Sequence, residues 1–474
     1  MRIREDARGK ANQRFRGRGN KVPSDGLSAP AGELASASRK FWRQLSGGGQ
    51  SSLSPRWGQA HEPLLQRARA FFNAVETKDS RSLTAAKVEE IRHFDVAAMQ
   101  RVVAICRWGS SGSLLLASYL DGHDEVIALP GNLGGGIYPF FAYHQSLSLR
   151  DKLIAYPFVS IDGFDHSKFF FQTEHEHGIA AGDYYAAVNA LFEVYGDRSP
   201  EFLESRRAFF QFLHIVYCVA LGRRSTSPHP LIVYAQALAN DQLARYLVED
   251  FPQARFIHTV RDPITNCGRI FEHDLQPHGL LASVYVIARL SFWDKPHSGM
   301  ESRTRAVRFE DLHLHLEETM RAIAAWLGLP YRSSLLESTF NGRQYVWITR
   351  AGTESWSGAR PAKAVRDSRN LFFTDRCLLY AVLCEDFVAW NYPCPRIFRH
   401  ALVRALTCVL ILPLPMKMEV ITARMVFKLL RSKDFRSAIK GLARICVGRI
   451  AIMSLLAAEL YRRLVFGKQV LKLR

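Results

Sequence analysis

No Gly-Lys-Ser/Thr tripeptide occurs in the 474 residues: Gly9-Lys10 runs into Ala11 and Gly467-Lys468 into Gln469. That excludes the nucleotide-triphosphatase loop, whose Lys meets the outer phosphates and whose hydroxyl residue holds Mg²⁺. The eight cysteines (Cys106, Cys218, Cys267, Cys377, Cys384, Cys394, Cys408 and Cys446) never fall at Cys-x-x-C spacing. Neither a zinc site nor a disulfide framework is indicated. Long apolar runs are missing too. Ala405 to Met416 is interrupted by Pro413 and Pro415, and Ile450 to Tyr461 by Glu459, so neither reaches the ~18–20 apolar residues of a spanning helix. The first sixty residues lack the apolar core of a secretory signal, and with no export signal a reduced cytoplasmic setting is expected.

The middle of the chain lacks net charge, although the whole carries +19. Residues 1–60 hold 12 Lys/Arg against 4 Asp/Glu, and residues 401–474 hold 15 against 3, leaving 36 basic and 37 acidic residues over 61–400. A nucleic-acid-binding core would need its own positive patch, so no nucleic-acid partner is expected. The Arg/Gly/Ser/Pro-rich stretch 1–60 cannot bury enough apolar area to offset chain entropy and reads as a disordered basic tail. The segment 401–474 alternates apolar positions with Lys428, Arg431, Lys440, Arg444, Arg462 and Arg463. It reads as a basic amphipathic helical extension, either lying on anionic lipid, peripheral at the inner membrane face, or docked on the core with its basic face solvated.

Against these absences one stretch stands out, Arg101 to Pro130. Val102 to Cys106 reads as a buried parallel strand. The small-residue loop Gly109-Ser110-Ser111-Gly112-Ser113 follows, then an apolar helical run from Leu114 to Leu120. Strand, Gly/Ser loop and helix N-terminus together make an anion site, because unpaired backbone N–H groups converge there and the helix dipole favours negative charge. Small side chains let the backbone come close to phosphate oxygens.

About 150 residues later Arg255 to Pro263 reads RFIHTVRDP, a strand ended by Arg-Asp-Pro, with a strand candidate at Leu231 to Ala235 and a helix at Asp241 to Asp250 before it. Recurring strand-helix-strand units argue for a parallel sheet with ligand loops at the strand C-terminal ends. Arg261 sits at such an end, either forking onto a phosphate or pairing with Asp262 to tie down a turn. A third stretch, Arg305 to Tyr331, places Arg-Phe-Glu-Asp-Leu at the end of a strand, followed by an amphipathic helix closing at Gly328 with Pro330 behind it.

These three segments together resemble the sulfotransferases that use 3′-phosphoadenosine 5′-phosphosulfate (PAPS), and the stretch Gly109 to Pro130 is especially similar to bacterial members. In that family an R-S-G-[ST] loop holds the 5′-phosphosulfate, and a strand ending in R-[DN]-P supplies an Arg to the 3′-phosphate. An R-[YF]-E-D-L segment then precedes a helix ending in L-G-[LIV]-P. The resemblance spans roughly Arg101 to Pro393. It implies an α/β, P-loop-type three-layer fold around a central parallel sheet over 61–400, plus the C-terminal helical extension. The implied activity is transfer of a sulfuryl group from PAPS, without a metal, to a hydroxyl or amine of a carbohydrate, lipid or small-molecule acceptor.

On that resemblance Gly109, Ser110, Ser111, Gly112, Ser113, Leu114 and Arg261 are the expected cofactor-binding residues. The chain departs from the pattern twice. Ser110 stands where the family's loop carries a cation, and Arg107, three residues earlier, is the expected catalytic substitute. Arg269 stands where the family has a Ser sharing the 3′-phosphate, with Thr265 the nearby hydroxyl. Arg343, in the loop Asn341-Gly342-Arg343, is a further expected phosphate ligand, and Trp347 and Trp356 are candidates for stacking on adenine or for the core. The acceptor's proton needs a base, for which His144 is the expected residue and Asp162 an alternative. The stretch Gly131 to Gly136 is either a loop closing over the site or a plain connection. Glu174-His175-Glu176-His177 reads as a polar loop in preference to a metal site. The two departures motivate one alternative, a catalytically degenerate nucleotide-binding protein, and the terminal charge bears on another, a membrane-associated scaffold of the same fold.

Overall fold

The computed structural model describes residues 61–75, 80–106, 111–129, 136–161, 164–165, 167–171, 178–223, 225–236, 241–273, 299–344, 346–349, 352–355, 371–411, 414–439 and 442. Several expectations lie outside the described residues: the tail 1–60, Arg107, Gly109 and Ser110, Gly131 to Gly135, Asp162, the Glu174 to His177 run, Trp356 and everything beyond 442. The side chains of Arg269 and Trp347 lie outside them as well. The chain divides after Ser52, and all described residues belong to the second unit, Leu53–Arg474.

Five strands form the central sheet: β1 (Val102–Cys106), β2 (Val126–Ala128), β3 (Leu231–Gln236), β4 (Arg255–Val260) and β5 (Thr304–Arg308). Their spatial order is β2-β3-β1-β4-β5 and every pairing is parallel, with Val103 opposite Val233 on one side and Arg255 on the other. β1 lies at the centre, which is why its five residues are unbroken apolar side chains and all are buried. A strand covered on both faces has no position for a polar residue.

The period-two alternation of strand side chains sorts them into two cores. Val102, Ala104, Ile232, Tyr234 and Phe256 point to one face, into an aromatic-rich cluster. Over that face lie α1 (His61–Val75), α2 (Ser80–Arg92), α4 (Ile137–Tyr143), α5 (Ala181–Tyr195) and α6 (Arg206–Ala220). Val103, Ile105, Val233, Ile257 and Val307 point to the other face. There they meet Leu116, Tyr119 and Leu120 of α3 (Ser113–Asp121) and Met320, Ile323 and Leu327 of a helix over Leu316–Leu327. Helix, sheet and helix make three layers, the α/β architecture that the recurring strand-helix units imply.

Local chemistry sets the ends of these elements. The Leu316–Leu327 helix stops at Gly328, whose φ of 69° is left-handed and whose N–H turns back to Ala324 and Ala325 carbonyls. That is the glycine cap read from the sequence. The segment between β5 and this helix is not continuous helix, however. Asp311–Leu314 forms one short turn, and His315, at φ −138°, breaks it from the longer helix. After Phe373–Ala389, the described residues continue through the helices Ala401–Ile411 and Lys417–Arg431. The break between them falls at Pro413 and Pro415, which lack the N–H a helix needs.

Candidate active site

The site is built where the C-terminal ends of β1 and β4 lie side by side, with Cys106 opposite His258. The chain leaving β1 re-enters the described residues at Ser111. Its hydroxyl lies 2.8 Å from that of Thr259, the penultimate residue of β4, and both side chains are fully buried. This bond between hydroxyls 148 residues apart fastens the returning loop to the neighbouring strand. Gly112 then caps α3 with φ 93°, ψ 12°. A Cβ at this position would sit 2.2 Å from Cδ2 of Phe309. Glycine is therefore required twice, for the left-handed backbone and for the space. Ser113 and Leu114 open α3, and its cap residue, a glycine, offers the first N–H groups of the helix no side-chain acceptor.

Arg261 follows β4 directly and is buried, with its guanidinium carbon 4.1 Å from the centroid of the same Phe309 ring. One phenyl ring thus touches both the Gly112 backbone and Arg261. The next residue, Asp262, uses its carboxylate to cap the helix Pro263–His273. It accepts from the N–H groups of Ile264 and Thr265 and from the Thr265 hydroxyl at 2.6 Å. The Thr265 hydroxyl is therefore committed to this cap. Of the two roles read for the Arg-Asp pair, tying the turn belongs to Asp262 and its helix.

A second layer holds this turn. Glu310 is almost fully buried and accepts from the Asp262 N–H at 3.0 Å and from the Tyr392 hydroxyl at 2.8 Å. Burial pushes its carboxyl above the usual carboxylate range, against the lowering effect of those two hydrogen bonds. Arg308 lies over the Tyr392 ring, 4.8 Å from its centroid. The Arg-Phe-Glu sequence that ends β5 thus contributes a cation beside Tyr392, the ring under Arg261 and the carboxylate that fixes the Arg-Asp-Pro turn.

The far end of α3 is fastened separately. Asp121, its last residue, accepts from Arg223 at 2.9 Å, from the Thr339 hydroxyl at 2.9 Å and from the Gly342 N–H at 2.8 Å. Asn341 and Gly342, with φ of 54° and 71°, turn the short ribbon in which Phe340 faces Arg343. A nine-residue helix is about 13 Å long. Arg343 sits in this ribbon, which is pinned at the C-terminal end of α3, whereas the loop lies at its N-terminal end.

His144 closes α4 beside the aromatic core, its ring centroid 4.4 Å from that of Phe140 and its exposure 2%. Arg269 lies on the helix Pro263–His273, two turns beyond Arg261. Sequence reasoning missed Thr259, Phe309, Glu310 and Tyr392. Phe309 and Glu310 were visible inside the Arg-Phe-Glu-Asp-Leu segment, but nothing local marked them as neighbours of a glycine 200 residues earlier. Among the described residues no group of three His, Cys, Asp or Glu side chains could hold a metal ion.

A family model described as the sulfotransferase family matches residues 109–333, the span from the loop through Arg261 and Arg-Phe-Glu-Asp-Leu. Two solved structures are similar at low identity. The sulfotransferase domain from the Synechococcus PCC 7002 olefin synthase is 15% identical, over 50% of this chain and 76% of that one, with a TM-score of 0.30. The sulfotransferase domain from the curacin biosynthetic pathway is 13% identical, over 62% of this chain and 98% of that one, with a TM-score of 0.32. The comparison with curated proteins returned no match.

Proposed function

We propose that this chain, whose residues 109–333 match the sulfotransferase family model, transfers a sulfuryl group from PAPS to a hydroxyl or amine of a carbohydrate, lipid or small-molecule acceptor. The observation that supports this most is the shared Phe309 ring, which sets an anion-binding loop and a buried guanidinium at one edge of the sheet. The cradle at Gly112 has no room for a Cβ, which suits a backbone approached closely by phosphate oxygens. PAPS supplies an activated sulfuryl group on a phosphate leaving group. In this reading the N–H groups of residues 109–114 hold the 5′-phosphosulfate, and Arg261, with Arg269 beyond it, takes the 3′-phosphate.

The acceptor oxygen or nitrogen forms a bond to sulfur while the bridging S–O bond breaks and its electron pair leaves on the 5′-phosphate. The acceptor's proton passes to a base, for which His144 and Asp162 are the candidates. Arg107 answers the charge growing on the bridging oxygen, where Ser110 offers only a hydroxyl. A cytoplasmic setting goes with this reading, and no helix among the described residues is long and apolar enough to cross a membrane.

Calorimetry of the full chain with adenosine 3′,5′-bisphosphate, the by-product of such a transfer, tests the donor. Binding is expected, and Arg261→Ala weakens it by about 1.5–3 kcal/mol, the scale of a charge-assisted hydrogen bond. No binding by the unaltered chain would remove the PAPS reading. Ser110 favours one alternative, a nucleotide-binding protein without turnover. It predicts the same calorimetry but no sulfuryl transfer to any acceptor, even when Ser110→Arg restores the loop cation.

A further inference from the structure

Among the described residues, exposed apolar side chains are concentrated in one region: fourteen of the fifteen exposed large hydrophobics lie between Phe372 and Leu442. On the helix Ala401–Ile411 they are Leu402, Leu406, Val409 and Leu410, 72% exposed at Leu402 and 66% at Leu410. Spacings of four, three and one place them on one stripe. Phe427 and Leu430 follow on the helix Lys417–Arg431, then Phe435 and Ile439 in the helical segment 435–439, with Ile439 66% exposed.

These helices are also docked. Cys408, Ile411, Met416 and Val426 are buried, Arg404 pairs with Glu385 at 2.9 Å, and the Lys417 N–H donates to Asp375. Docking and an outward apolar stripe therefore coexist, each using a different face of the same helices. A stripe left bare in water on docked helices points to a further surface.

Charge identifies that surface. Between 396 and 439 seven Lys and Arg side chains are exposed, Arg424, Lys428 and Arg431 among them, whereas the two acids are a buried Glu419 and Asp434. Residues 443–474 add seven basic residues against Glu459. Apolar side chains flanked by cations of one sign match a lipid interface, where acyl chains take the former and anionic headgroups the latter. We propose that the outer face of residues 396–442 docks this protein on an anionic membrane surface, lying on the bilayer without crossing it. The proposal does not depend on the sulfuryl-transfer reading.

Sedimentation of the full chain with phosphatidylcholine vesicles, with and without phosphatidylglycerol, tests it. Binding is expected only with phosphatidylglycerol at low salt, with release as NaCl shortens the Debye length from ~30 Å at 0.01 M to ~3 Å at 1 M. Leu406→Asp with Leu410→Asp, both at exposed positions, should lower partitioning by about tenfold or more. Lys428→Ala with Arg431→Ala should lower it by about fivefold per charge. Circular dichroism and adenosine 3′,5′-bisphosphate binding report whether each variant is folded, and the two pairs are independent should one fail to fold. Full recovery in the supernatant with anionic vesicles at low salt would overturn the proposal. So would equal binding to neutral vesicles, or light scattering showing a dimer that Leu406→Asp dissociates, which would assign the face to a second copy.

Discussion

At the scale of single residues, Gly112 carries the sharpest expectation. Its φ of 93° and the 2.2 Å approach of a built Cβ to Phe309 leave an alanine two independent conflicts. Gly112→Ala should destabilise the chain by about 1–3 kcal/mol in urea unfolding. It should also weaken adenosine 3′,5′-bisphosphate binding, since Phe309 would be driven toward Arg261. Adding Phe309→Leu should recover part of the stability, and a double mutant no better than the single would show that the ring is not the obstacle. Arg107→Ala should lower turnover more than donor affinity, because leaving-group charge develops only as the sulfuryl group moves. Steady-state kinetics with a working acceptor reads that difference.

Glu310 gives a residue-scale pH dependence. Its carboxyl is raised above the ordinary 4.5 by burial, so the folded chain holds this proton to higher pH than the unfolded chain does. Its contribution to stability is then fully present below about 4.5 and is lost as pH rises through the raised value. Glu310→Gln keeps an acceptor for the Asp262 N–H and removes the titration. Urea midpoints measured from pH 4 upward should fall less steeply for this variant than for the unaltered chain. Parallel profiles would mean that Glu310 does not titrate in this window.

At the scale of elements, α3 is fastened at both ends by different chemistry. Its N-terminus is set by the Ser111–Thr259 pair and the Gly112 cap, and its C-terminus by three hydrogen bonds to Asp121. Asp121→Ala would leave the Arg223 guanidinium and the Gly342 N–H without this acceptor, at a stability loss of about 2–4 kcal/mol. Arg343→Ala, in the ribbon this latch holds, should change bisphosphate affinity by less than about twofold, near the scatter expected of a surface change. A large loss in Arg343→Ala would return that residue to the binding site.

At the scale of the whole molecule, a ligand that binds only the folded chain raises its stability by mass action. Adenosine 3′,5′-bisphosphate at one hundred times its dissociation constant contributes about 2.7 kcal/mol. Thermal unfolding should therefore shift upward by several degrees, and Arg261→Ala should lose most of the shift at the same concentration. An unchanged midpoint would contradict binding at the folded site.

What the sequence determined by itself was local. Val102–Cys106 had to be a covered strand because it is apolar throughout, Gly328 had to end its helix, and Pro413 and Pro415 had to part the two C-terminal helices. Periodicity, caps and prolines act within a few residues, so they are legible without the fold. The motif order around Gly112 and Arg261 likewise pointed to an anion site at strand ends. Only tertiary structure decided which distant residues meet. Phe309 touches both Gly112 and Arg261 because β1, β4 and β5 are neighbours in the sheet, an order no local pattern encodes. His144 and Arg343 suited their expected roles by residue type, but only the fold sets the first against Phe140 and ties the ribbon of the second to Asp121. The docking and the bare stripe of Ala401–Ile411 share one sequence. The fold alone chose which of its apolar side chains found partners, because burial depends on what lies opposite and not on the helix's own period.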